Sequence, residues 1–195
     1  LSELWGADAA LGQLLAFRAS GVAVRIRVLR VRCEPCASSH ALLPAFCLLR
    51  RLDSVEVIGP ALVAGVEGAS DAVVAKAIDV PATTVRGWRR AHHDRAALLV
   101  AGVVAVAVGL GGVDGSVPVL SARPERASLE AVGVLWATTR RLLGARAGPA
   151  WRTWSVVTGG GALAANTIPP WTGPDGAASV VPVPGTIPGR QEMSG

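Results

Sequence analysis

Pro81 constrains this chain more than any other residue. The residue before a proline is pushed out of the helical region, whereas a proline itself is accepted in the first turn of a helix. Asp79-Val80-Pro81 therefore ends one helix and starts another within three residues, and the apolar spacing on both sides agrees. Val74, Ala75 and Ile78 recur at i, i+1 and i+4 and mark a short helix; Val85 and Trp88, three apart, mark a second that faces it. Ala82, Thr83, Arg86, Gly87 and Arg90 are left on the opposite, solvent-facing side.

Two short helices joined by a tight turn, the second with an outward basic face, follow the grammar of a helix-turn-helix. Small groups allow close approach to a groove, and arginines bond phosphates or guanine edges. The candidate DNA-contacting residues are Thr83, Thr84, Arg86, Gly87, Arg89 and Arg90. A preceding helix completes a bundle of three. Val55, Ile58, Leu62 and Val66 recur at spacings of three or four from about residue 53 to 67, with Asp53 placed as an N-cap and Gly68 as a stop. Three helices, the last two forming the motif, is the homeodomain-like arrangement. The competing explanation is a helical hairpin with a merely solvated arginine face.

Among 195 residues, with a net charge of +5, Lys76 is the only lysine. Such a balance favours anionic partners, nucleic acid before membrane surface. A codon preference of GC-rich bacteria explains much of the arginine excess, so charge alone adds little. The N-terminus carries no charged stretch followed by an apolar core and a small-residue cleavage site, which makes the cytoplasm the default location. Residues 96–113 contain no charge and approach the length of a membrane span. Glycine dilutes the stretch, however, and no aromatic residue anchors its ends, so a buried helix is expected instead.

Cys33-x-x-Cys36 followed by His40 supplies three zinc-ligand types at knuckle spacing, one short of a structural site. Zinc with an incomplete ligand set is the cofactor expected; inert cysteines and a redox pair are the alternatives. Cys47 lies in an apolar run and reads as a buried free thiol. Residues 22–32, which alternate apolar and basic with one slip at Leu29, read as a strand whose wet face carries Arg25, Arg27, Arg30 and Arg32. His92 and His93 are expected to face solvent or phosphate.

Beyond the motif, a helix over about 125–145 is expected to present Leu129, Val132, Leu135, Trp136, Thr139 and Leu142 on one face and to pack on a helix near 94–108. A further short helix over 151–158 is stopped by Gly159-Gly160-Gly161. Trp136, Trp151 and Trp154 are core or interface residues, with a homodimer face as an option. Proline and glycine dominate from Ile168 onward, and no packed structure is expected there. The acidic residues after the motif are scattered, so no two-metal cluster or hydrolytic triad is evident, and neither an enzyme nor a small-molecule substrate is indicated.

Three pieces, R-x-R-C-x-x-C-x-x-x-H-A-L-L-P at 30–44, R-R-L-D-S-V-E-V-I-G at 50–59 and V-P-A-T-T-V-R-G-W-R-R at 80–90, together with W-S-V-V-T-G-G-G-A-L-A-A-N-T at 154–167, resemble an actinobacterial family of unknown function. That family joins a zinc-knuckle segment to a helix-turn-helix and is associated with transposable elements. The resemblance implies a DNA-associated role. Members typically carry an earlier C-x-x-C, where this chain has an alanine- and leucine-rich segment, and glycine is common where Asp79 stands.

The expected fold is mainly α: a three-helix helix-turn-helix core, preceded by a short β/zinc-knuckle segment and followed by a small helical region and a disordered tail. Its parts are an N-terminal helical segment at 1–21, the basic strand and partial knuckle at 22–49, the helix-turn-helix at 50–94, a helical region at 95–167 and the tail at 168–195. The function expected is binding of double-stranded DNA, as a transcriptional regulator or the targeting component of a mobile element. The alternatives are a small membrane-associated protein anchored by 96–113 and a non-functional relic of a transposon protein.

Overall fold

The computed structural model describes residues 10–19, 22–32, 39–111 and 118–164, and it is mainly helical. Three strands come first: β1 (Ala10–Ala19), β2 (Val22–Arg32) and β3 (Ser39–Leu42) form one antiparallel sheet in that order. The helical segment expected at 1–21 is therefore corrected over 10–19. A run of alanine and leucine with no polar period is ambiguous between helix and strand, and pairing with β2 decides it. The register of β1 shifts between Leu11 and Leu14, opposite the stretch of β2 that carries the phase slip at Leu29. Strand β2 has the bounds its alternation predicts.

Helix α1 (Val55–Val66) buries Val55, Ile58 and Leu62 as expected. Its N-cap is Ser54 and not Asp53, which is itself buried one residue earlier. Gly68, at φ +98°, stops it: Gly68 N–H bonds Gly65 O and Ala69 N–H bonds Ala64 O, the paired closure of a Schellman turn. Helix α2 (Asp71–Ile78) starts at Ser70, whose hydroxyl accepts from Val73 N–H at 3.3 Å. It ends at Asp79 in the left-handed region, with Val80 N–H closing on Ala75 O. Pro81 then sits one residue ahead of α3 (Ala82–His93), at the N-cap rather than inside the helix.

Helix α4 (Ala96–Gly109) turns Leu99, Gly102, Val103, Val106 and Ala107 into the core and packs most extensively on α5 (Pro124–Leu143). A 3-10 turn, Gly144–Ala147, leads to α6 (Ala150–Val157), and Gly159 and Gly160, both at positive φ, end that helix. The buried stripe of α5 is Ala127, Ser128, Ala131, Val132, Leu135 and Thr138; Val132 and Leu135 lie there as expected and Leu129 packs beside them, while the rest of the expected face is corrected. Leu142 is exposed, and Trp136 lies at the edge, donating to Gly148 O under the guanidinium of Arg140. The buried face is turned from the expected one toward Ala127, Ser128 and Ala131, small residues on the helix that packs against α4.

One core runs from Leu48 to Leu163, so the segments read separately as 50–94 and 95–167 share it. Trp154 is fully buried and meets Trp151 edge-on at 5.8 Å between centroids. The loop before α1 is stitched to the end of the chain's helical part: Leu49 N–H bonds Gly160 O, Ser155 Oγ donates to Cys47 O, and Arg51 Nη2 donates to Leu163 O. Cys47 is a buried free thiol, and burial with the nearby Glu56 carboxylate pushes its pKa up to about 11. Among the described residues no single helix is long and apolar enough to cross a membrane. The stretch at 96–113 holds the buried helix expected of it, α4, and the alternative of an anchor there meets a helix only 14 residues long. At ~1.5 Å per residue this falls short of the ~30 Å hydrocarbon layer. The tail at 168–195 lies outside the described residues.

Candidate nucleic-acid interface

Helix α3 has one buried anchor line and one wet line. Val85 and Trp88 are buried against the core, and His92 continues that line one turn later. Thr83, Arg86, Gly87 and Arg90, at i, i+3, i+4 and i+7, are exposed on the other side. Ala82 and Thr84 are half-buried, and Ala82 packs against the core instead of facing out. No Cβ placed at Gly87 would meet anything within 4 Å, so that point of the helix is open to close approach.

Arg89 is placed differently from the other candidate residues. Its guanidinium turns inward, donates to Asp71 Oδ1 at 2.6 Å and lies over Gly65, where a Cβ would come within 2.4 Å of Nε. It clamps α3 to α1 and α2. Arg86 reaches the other oxygen of Asp71 at 3.3 Å while staying mostly in solvent. Asp71, in the first turn of α2, also faces the positive end of its own helix dipole.

His92 corrects the solvent-facing expectation. Its Nε2 lies 2.6 Å from Ser128 Oγ, whose own proton goes to Glu125 O at 2.9 Å. Burial pushes the His92 pKa down to about 4, against the pull of Glu125. His93 is exposed and pairs through Nδ1 with Glu125 Oε1. The Glu125 carboxyl is held below its ordinary range, first by its own backbone N–H and then by His93.

The exposed stripe of α3 is one wall of a cleft of about 750 Å³. The rest of its lining is Leu49, Arg50 and Arg51 from the loop before α1, Leu163 and Ala164 after α6, and Asp94, Arg95 and Leu98 where α3 passes into α4. Five arginines line it against one acidic residue, Asp94. Arg95 is buried and held by a bond from Nε to Ala162 O at 3.1 Å; desolvation lowers the pKa of both Arg51 and Arg95. Periodicity could not have found Arg50 and Arg51, because they lie more than thirty residues before α3 in the chain. The doubled arginine just before α1 was the only local signal.

Of the expected metal ligands, Cys33 and Cys36 lie outside the described residues, and His40 lies in β3. Among the described residues no group of three histidine, cysteine or acidic side chains is placed to hold a metal ion. Comparison with known proteins finds no matching family model, no matching curated protein and no matching solved structure.

Proposed function

We propose that α1, α2 and α3 act as a homeodomain-like helix-turn-helix that binds double-stranded DNA, with α3 entering the major groove. The observation that carries this reading is the exposed line Thr83, Arg86, Gly87 and Arg90 on a helix whose other side is anchored by Val85, Trp88 and His92. A helix docked in a groove needs that division: rigid attachment behind, and small or cationic side chains in front. Arg86 and Arg90 are the base-reading or phosphate-bonding groups, Thr83 contacts the nearer edge, and Gly87 lets the backbone approach. Arg89 supports the helix from the inside, and Thr84 is half-buried beside the exposed line. The same proposal places the protein in the cytoplasm as a regulator or as the targeting component of a mobile element, in line with the resemblance of residues 80–90.

Zinc at Cys33, Cys36 and His40 belongs to this proposal as an accessory. Its support is position: the register of β2 and β3 pairs Arg32 with Ser39, so the C-x-x-C falls in the link between two antiparallel strands. Metal content of the purified protein, with and without Cys33→Ser, tests it; zinc in equal amount in both would remove the assignment.

The test of DNA binding is selection of preferred duplexes by the full chain, followed by gel shift with Arg86→Ala and Arg90→Ala. Loss of a base contact should cost about 1–3 kcal/mol and relax preference at one position. Unchanged affinity in both variants would overturn the role given to α3.

A further inference from the structure

The cleft arginines outside α3 have no part in a helix reading base edges, and yet they line the same space. We propose that the cleft between α3 and the 49–51 loop seats phosphates of the DNA strand bordering the groove that α3 enters, with Arg50 as the principal new contact. This rests on the helix-turn-helix reading above. A helix in a major groove about 12 Å wide lies within side-chain reach of the backbone beside it. The lining that would meet this backbone is cationic: Arg50, Arg51 and Arg95 share the cleft with Arg90.

The local backbone supports the assignment. Arg50 is one of two non-glycine residues at positive φ among those described, at +59°. Residues on either side of it are tied down, Leu49 N–H to Gly160 O and Arg51 Nη2 to Leu163 O. The exposed Arg50 is thus presented from a fixed turn instead of a free loop. Arg51 Nη2 donates to Leu163 O and Arg95 Nε to Ala162 O, which holds both guanidinium groups at the cleft wall. Backbone contacts of this kind carry no sequence information; they set register and make binding salt-dependent.

The experiment compares the full-length protein with Arg50→Asn, which removes the charge but tolerates positive φ. Affinity for the selected duplex is measured from 50 to 200 mM salt, with circular dichroism as a check on folding. One lost phosphate contact should lower the slope of log affinity against log salt by about 0.9. The affinity gap between the two proteins should then be about three- to fourfold larger at the low-salt end. The preferred sequence should not change, in contrast to Arg86→Ala. Equal slopes in a wild type that binds duplex would overturn the cleft assignment and leave the recognition helix standing. No duplex binding by the wild type would overturn both. In that case, inorganic phosphate titrated into the wild type and perturbing the Arg50 and Arg95 resonances would mark a site for a free phosphorylated ligand in place of a strand.

Discussion

Asp71 Oδ1 accepts a hydrogen bond from Arg89 Nη1 at 2.6 Å, with each side chain about a quarter exposed (24% and 22%). Arg86 meets the same carboxylate at 3.3 Å but is 63% exposed. Two arginines one turn apart therefore have different tasks. Double-mutant cycles should give Asp71 and Arg89 a coupling of about 1 kcal/mol or more, and Asp71 and Arg86 less than about 0.5 kcal/mol. Thermal or urea unfolding of the single and double alanine variants measures this; equal couplings would show that Arg89 is not a clamp.

Buried neutral His92 makes stability depend on pH. Its folded pKa of about 4 lies below its ordinary value of 6.5, so between those values the unfolded chain binds the proton and the folded one does not. Stability should fall as pH drops from about 6.5 toward 4, by roughly 3 kcal/mol at most, and this contribution should level off below. The lowered pKa of Glu125 acts in the same direction, further into the acid range. Urea unfolding of His92→Gln should lose most of the slope between pH 4.5 and 6.5. A slope equal to that of the wild type would assign the effect elsewhere.

Two helical glycines should respond oppositely to alanine. A Cβ at Gly59 would lie 2.2 Å from the indole of Trp151, so Gly59→Ala should destabilise by about 1–3 kcal/mol. Gly87 is helical and open, and Gly87→Ala should stabilise by about 0.5–1 kcal/mol. A bulkier Gly87→Gln should keep the fold, seen by circular dichroism, while weakening duplex binding.

Asp79 ends α2 in the left-handed region at φ +53°, where a branched side chain is strained. Asp79→Val should cost about 1–2 kcal/mol, whereas Asp79→Gly should hold or raise the melting temperature. If Asp79→Val melts with the wild type, the turn does not adopt this conformation in solution.

The helices were largely legible because their signals are local. Val55, Ile58 and Leu62, then Val85 and Trp88, repeat at helical spacing, and Gly68 and Gly159 lie at stops that need positive φ. The strand at 22–32 announced itself by alternation. Where the signal was not local, it misled or was missing. Residues 10–19 have no period of their own and become a strand only through β2. His92 lies on the anchor line, one turn past Trp88, but a histidine near a helix end reads as polar until Ser128 on α5 supplies its partner.

The sequence by itself determined the break at Asp79-Val80-Pro81, the helices on both sides of it, and the exposed line Thr83, Arg86, Gly87 and Arg90, because backbone sterics and side-chain period act within a few residues. Only the tertiary structure decided which arginines belong together. Arg89 was drawn in by Asp71 and the bare backbone at Gly65, while Arg50, Arg51 and Arg95 were brought into one cleft with α3 by bonds to residues 160–163. Those contacts join positions far apart in the chain, and close packing, which has no period, is what sets them.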